Sequence, residues 1–145
     1  MEEKFAALVN YLWEDCIKNL STVLTKEEEN RFSNNDYYYL LIIQSLNRPN
    51  FSQISERLSL TKPAVSAIIR KLTSMELVDK QQSEEDKRMF YVELTSKGQR
   101  ILEGDKELYK LVVDMIKEIV IDEKELEIIE RVISTLVDKI LDIKK

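Results

Sequence analysis

Residues 51–98 read FSQISERLSLTKPAVSAIIRKLTSMELVDKQQSEEDKRMFYVELTSKG. A short apolar-striped segment at 52–58 is followed by a three-residue break and by a second segment that Thr61 is suited to cap. Pro63 falls in the first turn of the second segment, where a missing backbone N–H costs nothing. The spacing predicts two helices joined by a tight turn. The inner stripe of the second helix is Val65, Ile68, Ile69 and Leu72.

The period of the apolar residues changes from helical to alternating after residue 76. Residues 77–82 and 90–94 each have the pattern of a short strand, and a polar loop at 82–88 joins them. The pattern predicts a β hairpin. After it, Thr95 and Ser96 are predicted to cap a long helix, with Gln99 completing a capping box from Ser96.

Helical patterns also flank this region. Residues 4–24 form an apolar stripe of period 3.6, and Ser33 with Asp36 resembles a capping box at the start of the next helix. Asp122 is predicted to begin the last helix. We therefore expect a mostly α fold with a small β hairpin, a winged helix-turn-helix with N- and C-terminal helices on either side. The last helix carries a heptad seam of Leu126, Ile129, Ile133, Leu136, Ile140 and Ile143.

The composition excludes several classes of function. The chain has no His, one Cys and two Gly, which rules out Ser-His-Asp triads and phosphate loops and disfavours zinc sites. We expect no catalytic residues, no metal and no cofactor. The sequence contains no apolar run long enough for a membrane span and no signal-peptide pattern. We therefore expect a cytoplasmic protein with no membrane partner.

Charge is distributed unevenly along this acidic chain. The net charge is −5, yet residues 57–100 hold nine Lys/Arg and six Asp/Glu, a net charge of +3. Phosphate contacts need local rather than overall positive charge. The central segment therefore remains a candidate for binding nucleic acid.

The outer face of the capped helix is the first candidate DNA contact. A helix of this kind enters the major groove, where small and hydroxyl side chains allow close approach and Arg70 is placed to reach a guanine edge or a phosphate. The loop basic residues Lys87 and Arg88 are candidates for the minor groove. Asp86 is expected to support the wing by orienting or neutralising Arg88. The helix candidates are Thr61, Lys62, Pro63, Ser66, Ala67 and Arg70.

This stretch, from Phe51 to Gly98, resembles the MarR family of bacterial transcription regulators. One departure from the family pattern lies at Glu76, where the family usually has Gly. A left-handed helix end costs a residue other than Gly about 1 kcal/mol, so either Glu76 adopts it or the helix ends differently. The resemblance rests on Ile54-Ser55-Glu56-Arg57-Leu58, Thr61-Lys62-Pro63-Ala64-Val65-Ser66, Leu77-Val78-Asp79-Lys80, Ser83-Glu84-Glu85-Asp86-Lys87-Arg88 and Leu94-Thr95-Ser96-Lys97-Gly98.

The resemblance implies a homodimer, paired through its terminal helices, that binds a pseudo-palindromic operator in double-stranded DNA. The heptad seam independently favours pairing. We expect dimerisation helices at 1–32 and 99–145 around a DNA-binding lobe at 33–98. Repression is the expected outcome, with activation left open. The alternative is a winged-helix module that binds protein and not specific DNA.

The resemblance also implies an effector site or an oxidant sensor. Trp13, Tyr37 and Tyr38 are candidates for a small-molecule pocket, although packing in the core or an interface is the favoured explanation for them. Cys16 is expected to be a buried structural cysteine, since neighbouring Asp15 would raise its pKa. We therefore expect Cys16→Ser to retain DNA binding and any response to peroxide.

Overall fold

The computed structural model describes residues 1–143. The predicted fold class is confirmed: the chain is mostly helical, with one antiparallel hairpin within these residues. The elements are α1 (Glu2–Val23), α2 (Lys26–Arg31), α3 (Asn34–Leu46), α4 (Phe51–Leu58), α5 (Lys62–Ser74), β1 (Val78–Gln82), β2 (Phe90–Leu94), α6 (Ser96–Ile119) and α7 (Glu123–Ile143). In this part of the chain, no helix combines the length and apolar composition needed to span a membrane.

Reciprocal capping boxes begin three of the helices. The predicted box at α3 is confirmed: the Ser33 hydroxyl accepts from the Asp36 N–H, and the Asp36 carboxylate accepts from the Ser33 N–H. A second box, from Asn50, begins α4. A third, formed by Thr25 and Glu28, begins α2, a helix that was not predicted from the sequence. The polar run 25–30 has no apolar stripe, so only its cap indicated a helix.

The start of α6 differs from the prediction. Thr95 alone occupies the cap position, where its hydroxyl accepts from the Gly98 N–H at 3.1 Å. Ser96 is already the first helical residue, so the predicted box between Ser96 and Gln99 is wrong. At α7, Asp122 caps as predicted and accepts from the Lys124 N–H at 2.9 Å.

The hairpin pairs Val78 with Leu94 and Gln82 with Phe90. The turn before α4 adds to its edge, because the Pro49 carbonyl accepts from the Val92 N–H at 2.9 Å and Asn50 forms a bridge with Tyr91. The hairpin is thereby joined to the end of α3 and not only to α5.

The core of this region is built from α3 to α6 and the hairpin. Most members of the predicted inner stripe of α5 are buried, namely Val65, Ile69 and Leu72, while Ile68 is partly buried and packs against them. This burial holds α5 by one face. The remaining core residues include Leu40, Ile43, Ile54, Met75, Leu77, Val78, Val92, Ile101 and Leu102.

The chain groups into two compact units, residues 1–106 and 107–145, with α6 running through the boundary. The sequence instead predicts three segments that differ in role, with boundaries after residues 32 and 98. Dimerisation by the outer two and DNA binding by the middle one stay predictions. The last two residues of the predicted segment 99–145 lie outside the described residues.

Candidate nucleic-acid interface

The outer face of α5 carries the residues predicted to contact DNA. Lys62, Pro63, Ala67 and Arg70 are exposed, and Ser66 is partly buried. Thr61 is exposed too, and its hydroxyl caps the helix by accepting from the Ala64 N–H. The buried stripe on the opposite side fixes the rotation of the helix, so these side chains share one surface.

A compact turn sets α5 against its brace helix, α4. Ser59 adopts a left-handed conformation with φ 52°, and the Leu60 N–H returns to the Ser55 carbonyl at 3.0 Å. The Ser55 hydroxyl also donates to the Leu60 carbonyl. These bonds close the turn, and they leave the N-terminus of α5 uncovered.

The wing loop is ordered by Asp86. Its carboxylate accepts from the backbone N–H of Arg88 at 2.9 Å, and its carbonyl accepts from the Met89 N–H at 2.9 Å. The Ser83 hydroxyl accepts from the Asp86 N–H. The sequence predicts that Asp86 acts on the guanidinium of Arg88. The structure instead places its carboxylate on the backbone of Arg88, while the side chains of Lys87 and Arg88 are exposed.

Arg48, a residue that the sequence analysis did not single out, joins the turn after α3 to the hairpin. It has φ 58°. Its guanidinium pairs with Glu93 of β2, donates to Gln81 of β1 at 3.3 Å, and lies 5.8 Å from the ring centre of Tyr91. The only local signal was the Asn-Arg-Pro-Asn turn, which predicts a bend but no partner.

Glu76 adopts a left-handed conformation, with φ 57°. This is the conformation that Gly, the usual residue of the family at this position, adopts without strain. The Glu76 N–H returns to the Thr73 carbonyl and the Leu77 N–H to the Leu72 carbonyl, which is a Schellman ending. The Thr95 hydroxyl donates to the Glu76 carbonyl at 2.6 Å. The first of the two alternatives for this position is therefore correct, and Thr95 helps to hold the strained residue.

The candidate effector residues differ in burial. Tyr37 packs against the core, whereas Trp13 and Tyr38 are exposed. A cavity of about 170 Å³ in the first unit lies among parts of α1, α2 and the start of α3, and none of the three residues lines it. Their role in a pocket stays a prediction.

Cys16 is partly buried on α1. Burial, aided by a hydrogen bond and the charge of Asp105 and by the charge of Asp15, raises the pKa of the Cys16 thiol to about 12. The predicted direction of the Asp15 effect is thus confirmed, although burial and Asp105 contribute more. A thiol with so high a pKa carries little thiolate at neutral pH and is a poor nucleophile.

A family model matches part of the chain. Residues 32–90 match the model of the MarR family. The chain matches no curated protein at a significant level.

Solved structures are similar over nearly the whole chain. The S. aureus MepR–DNA complex has a TM-score of 0.69 at 15% identity and covers 97% of this chain and 99% of that chain. The Streptococcus pneumoniae FabT complex with DNA has a TM-score of 0.64 at 20% identity, covering 98% and 96%. The S. aureus MepR structure with ethidium bromide has a TM-score of 0.70 at 15% identity, covering 97% and 96%. At these identities the likeness shows a shared fold.

Proposed function

We propose that this chain, whose residues 32–90 match the model of the MarR family, is a DNA-binding transcription regulator that acts in the cytoplasm as a homodimer. The observation that carries the proposal is the uncovered outer face of α5 beside a wing that Asp86 orders. Two solved structures that share this fold, those of S. aureus MepR and Streptococcus pneumoniae FabT, are complexes with DNA. They support the proposal that this surface binds DNA.

In this proposal α5 enters the major groove. Lys62 near its N-terminus and Arg70 two turns later are long enough to reach phosphates or base edges, and Ser66 and Ala67 between them are small enough for close approach. Arginine reads guanine through two hydrogen bonds, so Arg70 is our candidate for base recognition. Pro63 and Thr61 shape the start of the helix.

The wing is proposed to contact the adjacent minor groove. Arg88 is the inserting residue, since a narrow minor groove attracts arginine, and Lys87 contacts the flanking phosphates. Asp86 holds the loop through backbone bonds. Its carboxylate therefore orders the loop without pairing with the guanidinium that the DNA needs.

Exposed apolar faces support a homodimer. On α7, Ile133, Leu136 and Ile140 of the heptad seam are 50%, 47% and 45% exposed. On α1, Phe5, Leu8 and Val9 are also exposed, and none of that helix's residues is buried. Apolar surface on this scale marks an interaction site. A second copy with two-fold symmetry offers matching faces and sets two recognition helices against a pseudo-palindromic operator.

We further propose repression as the outcome of binding, relieved by a small-molecule effector. The support is indirect: S. aureus MepR, which shares the fold, has been solved with ethidium bromide. Trp13, Tyr37 and Tyr38 remain the candidate residues for an aromatic effector.

The first test measures DNA binding directly. We expect the protein to bind a labelled fragment from upstream of its own gene, with an affinity that falls on the order of a thousandfold between about 50 and 200 mM salt. Fluorescence anisotropy titrations at several salt concentrations provide the measurement. A scrambled fragment of equal length is the control, and we expect it to bind more weakly at every salt concentration.

The alternative function is a winged-helix module that binds protein. No binding to upstream or random-sequence DNA at low salt would favour that alternative and contradict our proposal. Equal binding to the scrambled fragment would leave DNA binding in place but remove sequence recognition.

The second test measures oligomeric state. We expect sedimentation to give twice the mass of one chain, and Leu136→Glu to shift the population to monomer because a buried charge has no partner in the paired seam. Asp138→Lys, an exposed change on the side of the same helix away from the heptad seam, should remain dimeric. A parent protein that sediments as a monomer at micromolar concentration would contradict the homodimer.

A further inference from the structure

Two lysines of the basic central segment, Lys71 and Lys97, point to carboxylates of the protein. The Lys71 ammonium lies 2.5 Å from an oxygen of Asp36, whose side chain is 4% exposed. The Lys97 ammonium lies 2.5 Å from an oxygen of Glu28, and these two side chains are 18% and 19% exposed. Two of the nine basic residues in 57–100 are therefore already paired.

The partner of Lys71 is itself held firmly. The same Asp36 oxygen accepts from the backbone N–H of Ser33 at 2.7 Å and from its hydroxyl at 2.8 Å. The carboxylate therefore belongs to the cap of α3 and has little freedom to follow the lysine. The Lys71 side chain is 35% exposed, so the ion pair ties a partly exposed lysine to a carboxylate that the helix cap holds in place.

Lys97 makes a second tie at the same end of α5. Besides Glu28, it donates to the carbonyl of Met75 at 3.1 Å, the residue that ends the helix. Glu28 belongs to the capping box of α2. The hydrogen bond from Lys97, followed by one from Thr25, lowers the pKa of Glu28, so the carboxylate is charged at neutral pH.

These ties act on the orientation of α5. Lys71 follows Arg70 directly and so points about 100° away from it around the helix. The buried stripe holds one side of α5 and Asp36 holds a flank, while Lys97 holds the last carbonyl. Because α5 is a rigid helix, these contacts at its C-terminal end also fix the orientation of its N-terminal half, which carries the candidate DNA contacts.

We propose that Lys71 and Lys97 are positioning residues, which aim the recognition helix and contact no DNA phosphate. The inference rests on the proposed function. Its physical basis is that moving the Lys71 ammonium to a phosphate would leave the buried Asp36 carboxylate without its counter-charge, which is costly. Moving the Lys97 ammonium would likewise separate the partly buried Glu28 carboxylate from its counter-charge. The remaining basic residues of the segment, such as Lys62 and Lys87, supply the phosphate contacts.

The salt dependence of DNA binding separates the two roles. Each lost phosphate contact lowers the slope of log affinity against log salt by about 0.9. We expect Lys71→Met and Lys97→Met to weaken operator binding on the order of tenfold with an unchanged slope. The matched variant Lys62→Met should lower the slope by about one for each protomer, and Lys71→Arg should bind like the parent because it keeps the charge.

Amide hydrogen exchange provides a readout that needs no DNA. We expect the amides of Met75, Glu76 and Leu77 to exchange faster in Lys71→Met and Lys97→Met, and to be unchanged in Lys62→Met. Asp36→Asn guards against misfolding, since an amide oxygen still accepts at the cap while the charge is removed, and its amides at Met75, Glu76 and Leu77 should exchange faster as in Lys71→Met.

Failure of the positioning role and failure of DNA binding give different results. A slope lowered in Lys71→Met as in Lys62→Met would overturn the inference, and so would unchanged exchange at Met75 to Leu77. If the parent binds no DNA, the proposed function fails, while faster exchange would still support the positioning of α5 by the two lysines.

Discussion

Gly98→Ala is expected to lower the free energy of unfolding by about 3 kcal/mol, at the upper end of overpacking effects. A Cβ at this position would lie 2.2 Å from the carbonyl oxygen of Leu77 and 3.1 Å from its carbonyl carbon. These are backbone atoms and cannot rotate away. The Leu77 carbonyl also accepts from the Thr95 N–H at 3.1 Å, so relieving the clash disturbs the junction between α5 and β1.

Gly104→Ala is the matched control within the same helix. Its Cβ would meet the side chain of Asn19 at 2.2 Å. That side chain can rotate, at the loss of its hydrogen bond to the Ile101 carbonyl, which contributes about 1 kcal/mol. Alanine regains about 1 kcal/mol in helix propensity, so the net change should be small.

Urea denaturation at one protein concentration measures both variants, because the stability of a dimer depends on concentration. We expect Gly98→Ala to unfold at a clearly lower urea concentration than Gly104→Ala. The dependence of the unfolding free energy on urea concentration should be similar in the two variants. Equal midpoints would contradict the close approach of α6 to Leu77.

Arg88→Ala is expected to weaken operator binding about 10- to 100-fold, equivalent to about 1–3 kcal/mol. The guanidinium is exposed, and Asp86 binds only the backbone N–H of Arg88, which alanine retains. The wing should therefore keep its conformation, and the loss should come from the missing groove contact alone.

Anisotropy titrations against salt, with thermal unfolding in parallel, measure this effect. We expect the unfolding midpoint of Arg88→Ala to match that of the parent. Arg131→Ala, an exposed change on α7, is the control and should bind DNA normally. An Arg88→Ala protein that binds like the parent would show that our assignment of the wing is wrong.

The local elements of this fold were accessible from the sequence because their signals are local. Ser33 with Asp36, and Thr61 before Pro63, mark helix starts within four residues, and the alternation at 90–94 marks a strand. The α2 helix was missed although Thr25 and Glu28 form the same kind of cap, because a six-residue helix of polar side chains has no apolar stripe.

Part of the candidate DNA surface was predictable from the sequence and part was not. The inner stripe of α5 was predictable, and its outer face followed from it. The backbone conformation of Glu76 was not predictable, because the sequence was compatible with two ways of ending α5. The left-handed ending that is observed is supported by the hydroxyl of Thr95, which lies 19 residues later in the chain.

Sequence pattern was thus sufficient for the order of the elements other than α2, for the caps at Ser33, Thr61 and Asp122 and for the face of α5 turned to solvent, since each depends on neighbours a few residues apart. The folded chain alone decided where the charges went: Arg48 to Glu93, Asp86 to a backbone N–H, Lys71 to Asp36 and Lys97 to Glu28. The two lysine pairs join residues 35 and 69 positions apart. No local period records such pairs, because they form only after the helices that carry them have packed.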